Sequence, residues 1–175
     1  MWKASSLISD NTDVMNYAEK LLQICRESGE RLEEYLLSKV LEGMYFRQSK
    51  YPKVKRLSEK TLLISKEIGD RKGEADSYAI LGIVYRSVGE YEKAMDHLEK
   101  SLAVSKEIGD RKREAGSYSN LALVYLSVGK YEKARQLFKK SLDMHKDIGD
   151  RKGEAAAYAY LGIVYQSLLK LINNS

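Results

Sequence analysis

Cysteine and proline occur once each, at Cys25 and Pro52, in 175 residues. A single thiol can neither close an internal disulfide nor build a thiolate metal cluster, so Cys25 is expected to be a small core residue. Histidine is nearly as scarce. His97 and His145 lack the spacing of a metal-binding or nucleophile-activating pair, and both are expected at the surface or rim. No stretch approaches 18 uninterrupted apolar residues, and the opening MWKASSLISDNTD lacks the layout of a signal peptide. The chain is therefore read as cytoplasmic, with no membrane partner. Charge of one sign is not concentrated either. Thirty Lys and Arg stand interspersed with 25 Asp and Glu, for a net charge of +5, which describes a solvated helical surface and gives no reason to expect nucleic acid. This inventory offers no enzyme, no cofactor and no metal site.

What the sequence has in abundance is itself. SKEIGDRKGEADSY begins at Ser65, SKEIGDRKREAGSY at Ser105 and HKDIGDRKGEAAAY at His145. Arg71 to Asp110 and Arg111 to Asp150 share 23 of 40 residues, so the period is a true internal repeat. Within one unit Tyr78, Leu81, Gly82 and Tyr85 recur at helical spacing, and so do Ala94, Leu98, Ser101 and Leu102 beyond Gly89. Each unit therefore reads as two amphipathic helices. Gly69, Gly109 and Gly149 fall where a helix ends in a left-handed residue, and Asp70, Asp110 and Asp150 are suited to cap the next helix. Gly89 and Gly129 punctuate the turn within a unit. Gly82 lies mid-helix, where glycine is costly unless a neighbour must come close; its counterparts are Ala122 and Gly162.

The register continues upstream in weaker form. Gly29-Glu30-Arg31 stands for Gly69-Asp70-Arg71, Tyr45 for Tyr85, Tyr51 for Tyr91, and Ala18-Glu19-Lys20 for Leu98-Glu99-Lys100. Pro52 falls in a first helical turn, where its missing N–H is harmless. The organisation is one repeat domain over 1–175: a partial unit over 1–30, a degenerate repeat over 31–70, full repeats over 71–110 and 111–150, and a partial unit over 151–175. Helices are expected at 11–28, 31–48, 51–68, 71–88, 91–108, 111–128, 131–148 and 151–172. The last has no second-half partner. Its apolar extension, Leu168, Leu169, Leu171 and Ile172, predicts self-association through that helix or use by a following segment.

The order Tyr78, Leu81-Gly82, Tyr85, Gly89, Tyr91, Ala94, Leu98 resembles the tetratricopeptide repeat signature, with Tyr at the place usually given to Trp. Tyr118, Leu121-Ala122, Tyr125, Gly129, Tyr131, Ala134 and Phe138 fit it equally. The 40-residue period and the Gly-Asp-Arg linker are similar to those of the LGN/Pins adaptors. The resemblance implies an all-α solenoid of antiparallel helix pairs in a right-handed superhelix, first helices lining a concave groove that holds a peptide or partner segment. Two departures bear on partners. Of the asparagines typical of the LGN/Pins group only Asn120 is present, and Lys39, Gly43, Ile83, Gly116 and Asn120 do not assemble the carboxylate clamp of the chaperone-binding members.

Chemistry beyond architecture finds little support. Gly-Asp-Arg-Lys lacks phosphate-loop spacing and a preceding strand. Glu74, Glu114 and Glu154, in first helical turns, are expected to serve the helix dipole. Of 13 tyrosines, Tyr78, Tyr85, Tyr91, Tyr118, Tyr125, Tyr131, Tyr158 and Tyr165 occupy core-like positions, so packing explains them better than nucleobase stacking.

Function is sought on the helix face opposite the packing stripe, at 100° per residue. On the fourth helix that face carries Asp76, Ala79, Ile80, Ile83, Arg86 and Ser87. Its equivalents are Lys39, Val40, Gly43, Phe46 and Arg47, then Ser119, Asn120, Leu123 and Leu126, then Ala159, Tyr160, Ile163 and Gln166. The candidate binding residues are Lys39, Arg47, Arg86, Ile83, Asn120, Leu123, Leu126, Tyr160 and Ile163. Lys39, Arg47 and Arg86 make the early half basic, whereas the later half is apolar with a tyrosine. The expected function is a non-enzymatic protein-interaction module, part of an adaptor or of a longer array, that binds a segment acidic at one end and apolar at the other. The alternative is a structural or self-associating array with no specific ligand; in it, Ile83, Leu123 and Ile163 would pack between first helices.

Overall fold

Glycine turns at a regular interval cut the chain into helices. The computed structural model describes residues 2–173, with side chains from residue 13. Among the described residues all regular structure is α-helical: α1 (Trp2–Ser28), α2 (Arg31–Arg47), α3 (Tyr51–Glu67), α4 (Arg71–Ser87), α5 (Tyr91–Glu107), α6 (Arg111–Ser127), α7 (Tyr131–Asp147) and α8 (Arg151–Asn173). From α2 to α7 the expected helices each end one residue early. α1 differs more, starting at Trp2 rather than at residue 11.

Six of the seven turns place a glycine at φ between +67° and +80°. The residue after each of these glycines donates its backbone N–H five residues back, as from Asp70 to Ser65 at 2.8 Å and from Glu90 to Tyr85 at 2.9 Å, which closes the helix end. In the seventh turn Ser49 adopts φ 55°. A side chain there is strained by about 1–2 kcal/mol, partly offset because serine is less flexible than glycine when unfolded. Ser49→Gly is therefore expected to stabilise the fold by about 0.5–1 kcal/mol, seen as a rise in the urea midpoint without a change in slope.

The linker's other residues act on the next helix. Asp110 Oδ1 accepts from the Arg113 backbone N–H at 3.0 Å, and Asp150 Oδ1 from that of Gly153 at 3.2 Å. Asp110→Ala should cost about 1 kcal/mol through the lost cap, and Lys112→Gln, at an exposed lysine, should cost less. The arginine then reaches one turn forward to a first-turn glutamate: Arg31 to Glu34, Arg71 to Glu74, Arg111 to Glu114 and Arg151 to Glu154. Glu34, Glu74 and Glu114 are buried, so these glutamates do more than favour a helix dipole. In the Gly-Asp-Arg linker, glycine turns the chain, aspartate caps, and arginine neutralises a buried carboxylate.

The helices form two compact units, Met1–Asp70 and Arg71–Ser175. In the first, α2 packs against α1 and α3 around Leu22, Cys25, Tyr35, Leu41, Tyr45, Val54 and Ile64. Cys25 lies in this core as expected. Glu42 occupies the small-residue position of Gly82 and is buried, accepting a hydrogen bond from Ser58, which stands where Leu98 and Phe138 stand in later units. The degenerate repeat thus replaces an apolar contact by a polar pair.

In the second unit consecutive helices pack in antiparallel order, and α6 also touches α4 and α8. One core cluster joins Ala122, Ala134, Phe138, Leu142, Ala157, Leu161 and Val164. Gly82 is required by a close approach: a Cβ there would stand 2.5 Å from Leu98 Cγ. His145 corrects an expectation. It is buried, because α8 crosses its ring at Gly153, where a Cβ would meet Nδ1 at 2.2 Å. His97 is half-buried between Tyr78 and Tyr85. Tyr158 and Tyr165 also depart from the core role expected of them. They are 51% and 43% exposed, since no described helix covers α8 as α7 covers Tyr118 and Tyr125.

Candidate partner-binding face

The second unit places α4, α6 and α8 side by side, so positions one period apart form rows across three helices. Ile83, Leu123 and Ile163 form such a row, and Ile80, Asn120 and Tyr160 another. Ile83 and Asn120 are half-buried, and Ile163 is 47% exposed. Leu123, Leu126 and Tyr160 are half-buried as well and pack against the core cluster. Tyr160 stacks on Phe138 with ring centroids 5.1 Å apart and planes 14° apart, so the core fixes the tyrosine's orientation. Arg86, near the α4 end of the face, is half-buried.

A charged bridge occupies the other end of α4 and α6. Arg113 Nε and Nη2 donate to the two carboxylate oxygens of Asp76 at 2.8 and 3.1 Å, and Nη1 pairs with Asp110. The hydrogen bonds Arg113 donates to Asp76 are the largest influence; with those to Asp110 they outweigh burial and hold the guanidinium charged far above its ordinary range. Arg113 was not among the expected site residues. Its signal is a local break in the repeat: arginine where Gly73 and Gly153 stand, with Gly116 in the place of Asp76.

In the first unit the corresponding face lies on α2. Lys39 donates to the Tyr35 hydroxyl at 3.3 Å and sits over its ring, while that hydroxyl donates to Asp70 at 2.7 Å. Lys39 is therefore tied to a buried tyrosine. Arg47 is exposed, and Phe46 meets Tyr51 edge-on at 6.3 Å. Leu32, Leu36 and Val40, each more than half exposed, add an apolar stripe at i, i+4 and i+8. Sequence reasoning missed Leu32 and Leu36, although both are apolar where later units carry Lys72 and Asp76.

Among the described residues no group of three or more His, Cys, Asp or Glu is placed to hold a metal ion. The 23-residue α8 is long and apolar enough, by composition, to cross a membrane, and it packs on α7 through Ala157, Leu161 and Val164.

Antiparallel helix pairs at a 40-residue period, a small residue at the crossing and tyrosines on the packing face are the marks of one repeat class, and the tetratricopeptide repeat profile matches residues 43–107 and 113–171. The chain belongs to the tetratricopeptide repeat family. Its fold is the all-α solenoid class of that family. Solved structures with a similar fold include the apo form of RapI, with a TM-score of 0.81 and 24% identity over 97% of this chain and 62% of RapI. A signal transduction ATPase from Pyrococcus horikoshii with a tetratricopeptide repeat sensor gives 0.81 and 22% over 90% of this chain and 25% of its own. A Rap protein complexed with competence and sporulation factor gives 0.79 and 15% over 97% and 48%. These identities establish the fold. The chain spans less than two thirds of each of these three proteins. No curated protein matches the sequence.

Proposed function

We propose that this tetratricopeptide chain is a non-enzymatic interaction module acting in the cytoplasm, and that the α4–α6–α8 face takes an extended or helical segment with spaced apolar anchors. The observation that carries the reading is the Ile83, Leu123, Ile163 row: three equivalent apolar side chains on adjacent first helices, none fully buried. Such a row beside a fixed aromatic suits apolar anchors, and Arg86 favours an acidic residue at the α4 end. The complex of a Rap protein with competence and sporulation factor supports the idea that such repeats take a factor, without identifying this chain's ligand. The reduced lone thiol favours a cytoplasmic site. The Gly-Asp-Arg linker favours a place beside the LGN/Pins adaptors, whose partners are not carried over.

Panning a peptide library on the chain tests this reading. Selected peptides are expected to carry an acidic residue and spaced apolar anchors, with Kd values around 1 µM, about 8 kcal/mol. Ile83→Ser with Ile163→Ser should weaken them at least tenfold while keeping the melting temperature, whereas Leu123 is a poorer probe because it supports the core. A large fall in stability with binding retained would assign the row to packing. The second reading, a self-associating array, is favoured by the exposed apolar stripe on α8.

A further inference from the structure

The second helix of a pair has two jobs in this fold, covering the first helix before it and supporting the first helix after it. α1 stands in the register of a second helix, three periods before α7. Its inner side, Leu22 and Cys25, is buried. Its other side is a stripe of Val14, Tyr17, Leu21 and Ile24, 48–71% exposed. The counterparts of these four residues on α7 are Ala134, Leu137, Ser141 and Met144. Of these, Leu137 and Met144 lie in the cluster that covers Ala115 and Tyr118 of α6, and Ser141 donates to the Ala115 carbonyl at 2.8 Å. The exposed stripe on α1 is thus the surface a second helix turns toward the first helix of its pair.

α8 is a first helix with the reciprocal deficit. Tyr158, Tyr165, Leu169 and Ile172 follow one helical face and are 43–70% exposed, whereas Tyr118, the counterpart of Tyr158, is 4% exposed beneath α7. We propose that α8 of one copy docks on α1 of a second copy, completing between chains the helix pair that α6 and α7 make within one. This deepens the self-associating reading and is independent of segment binding to the α4–α6–α8 face.

Charge and aromatic complementarity support this occupant. Within a pair the linker arginine meets a glutamate near the end of the second helix, as Arg71 meets Glu107 and Arg31 meets Glu67. Arg151 is 88% exposed in its side chain, and the α1 residue in the register of Glu107 is Glu27, also exposed. Lys140 lies over the Tyr118 ring at 4.4 Å; Lys20, exposed on α1, is the counterpart of Lys140 and would lie over Tyr158. The helices also overrun the hairpin limit together. α8 continues past Ser167, the counterpart of the last residue of α6, to Asn173, and α1 starts well before Asn11, the counterpart of Tyr131. Helices in separate chains need no tight turn, and in an antiparallel pair these two extensions run beside each other. Leu21 replaces the small Ser141, so the intermolecular pair is expected to sit wider, over Ala155 and Ala159. The two stripes differ, so the contact is heterologous and joins copies head to tail.

Sedimentation velocity of the full chain, from about 5 to about 300 µM, is expected to show mass rising with concentration. Tyr17→Lys with Ile24→Lys blocks one end, and Leu169→Lys with Ile172→Lys the other. Each variant alone should be monomeric with unchanged helicity, and an equimolar mixture should form a dimer and nothing larger. Glu27→Arg alone should weaken association about tenfold, and adding Arg151→Glu in the same chain should restore it. A strict monomer throughout would overturn the proposal. So would persistent self-association of the α1-blocked variant, which would place the contact between two α8 helices, or flotation of wild type with neutral vesicles in place of self-association, which would make α8 a membrane helix. Loss of self-association with peptide selection intact would leave the interaction-module reading standing.

Discussion

Phe138→Ala is expected to destabilise the second unit by about 3–5 kcal/mol, the range for removing a fully buried aromatic ring. Phe138 is 0% exposed and lies at the centre of the cluster joining α6, α7 and α8. The small residues around it, Ala122, Ala134 and Ala157, belong to helix backbones and cannot swing in to fill the space. Total stabilities of domains are about 5–15 kcal/mol, so the variant should lose a large share of its urea resistance. Two compact units need not unfold in one step, so tyrosine fluorescence and helicity should be followed together. Phe138→Leu, which installs the residue found at Leu98, should cost much less. The ring also backs Tyr160, so peptide binding should weaken even where the alanine variant stays folded. A loss below about 1 kcal/mol would mean that the ring is not the keystone of this core.

The second large effect is expected at Glu34, which is 1% exposed and contacts Arg26 and Arg31 at 3.0 Å and Lys60 at 3.4 Å. Removing one partner of a buried ion pair costs about 3–5 kcal/mol. The three cations remain 30–50% exposed and can rehydrate, which puts Glu34→Ala below that range, at about 1–2 kcal/mol. Burial pushes the Glu34 carboxyl up, but hydrogen bonds from Arg31 and Arg26 and the charge of Lys60 outweigh it and hold the carboxyl below its ordinary 4.5. A depressed folded-state pKa stabilises the fold above the unfolded pKa, and that contribution is lost as pH falls through the folded value. Wild type should therefore lose first-unit stability below about pH 4.5, and Glu34→Ala should show a flatter acid limb. An equal acid slope in both proteins would contradict this assignment.

Most helix boundaries were legible in the sequence because glycine and aspartate mark them chemically: only glycine tolerates the turn's φ freely, and the aspartate supplies a cap. The fold class followed from the period and from Gly82, whose need for space against Leu98 is a property of the pair. What was not legible depends on a neighbour. His145 appeared polar and peripheral until α8 crossed it at Gly153. Tyr158 and Tyr165 carried the core pattern, yet a pattern cannot say whether a covering helix is present. The glutamates were visible as first-turn acids but not as buried, because burial depends on neighbouring helices, as Arg26 of α1 and Lys60 of α3 meet Glu34. On the candidate face the positions varied from unit to unit, and the sequence could not divide them by depth. The structure separates Ile163, which is open, from Leu123 and Tyr160, which lean on Phe138.

The central claim, that the α4–α6–α8 face of the second unit is the recognition surface, is most directly tested by amide and methyl chemical-shift mapping during titration with a library-selected peptide. The account predicts the largest changes at Ile83, Asn120, Tyr160 and Ile163, with the α5 and α7 lysines Lys100 and Lys139 unmoved. Changes concentrated on α5 and α7, or on the Gly-Asp-Arg linkers around Asp110 and Asp150, with the Ile83 and Ile163 methyls silent, would contradict it.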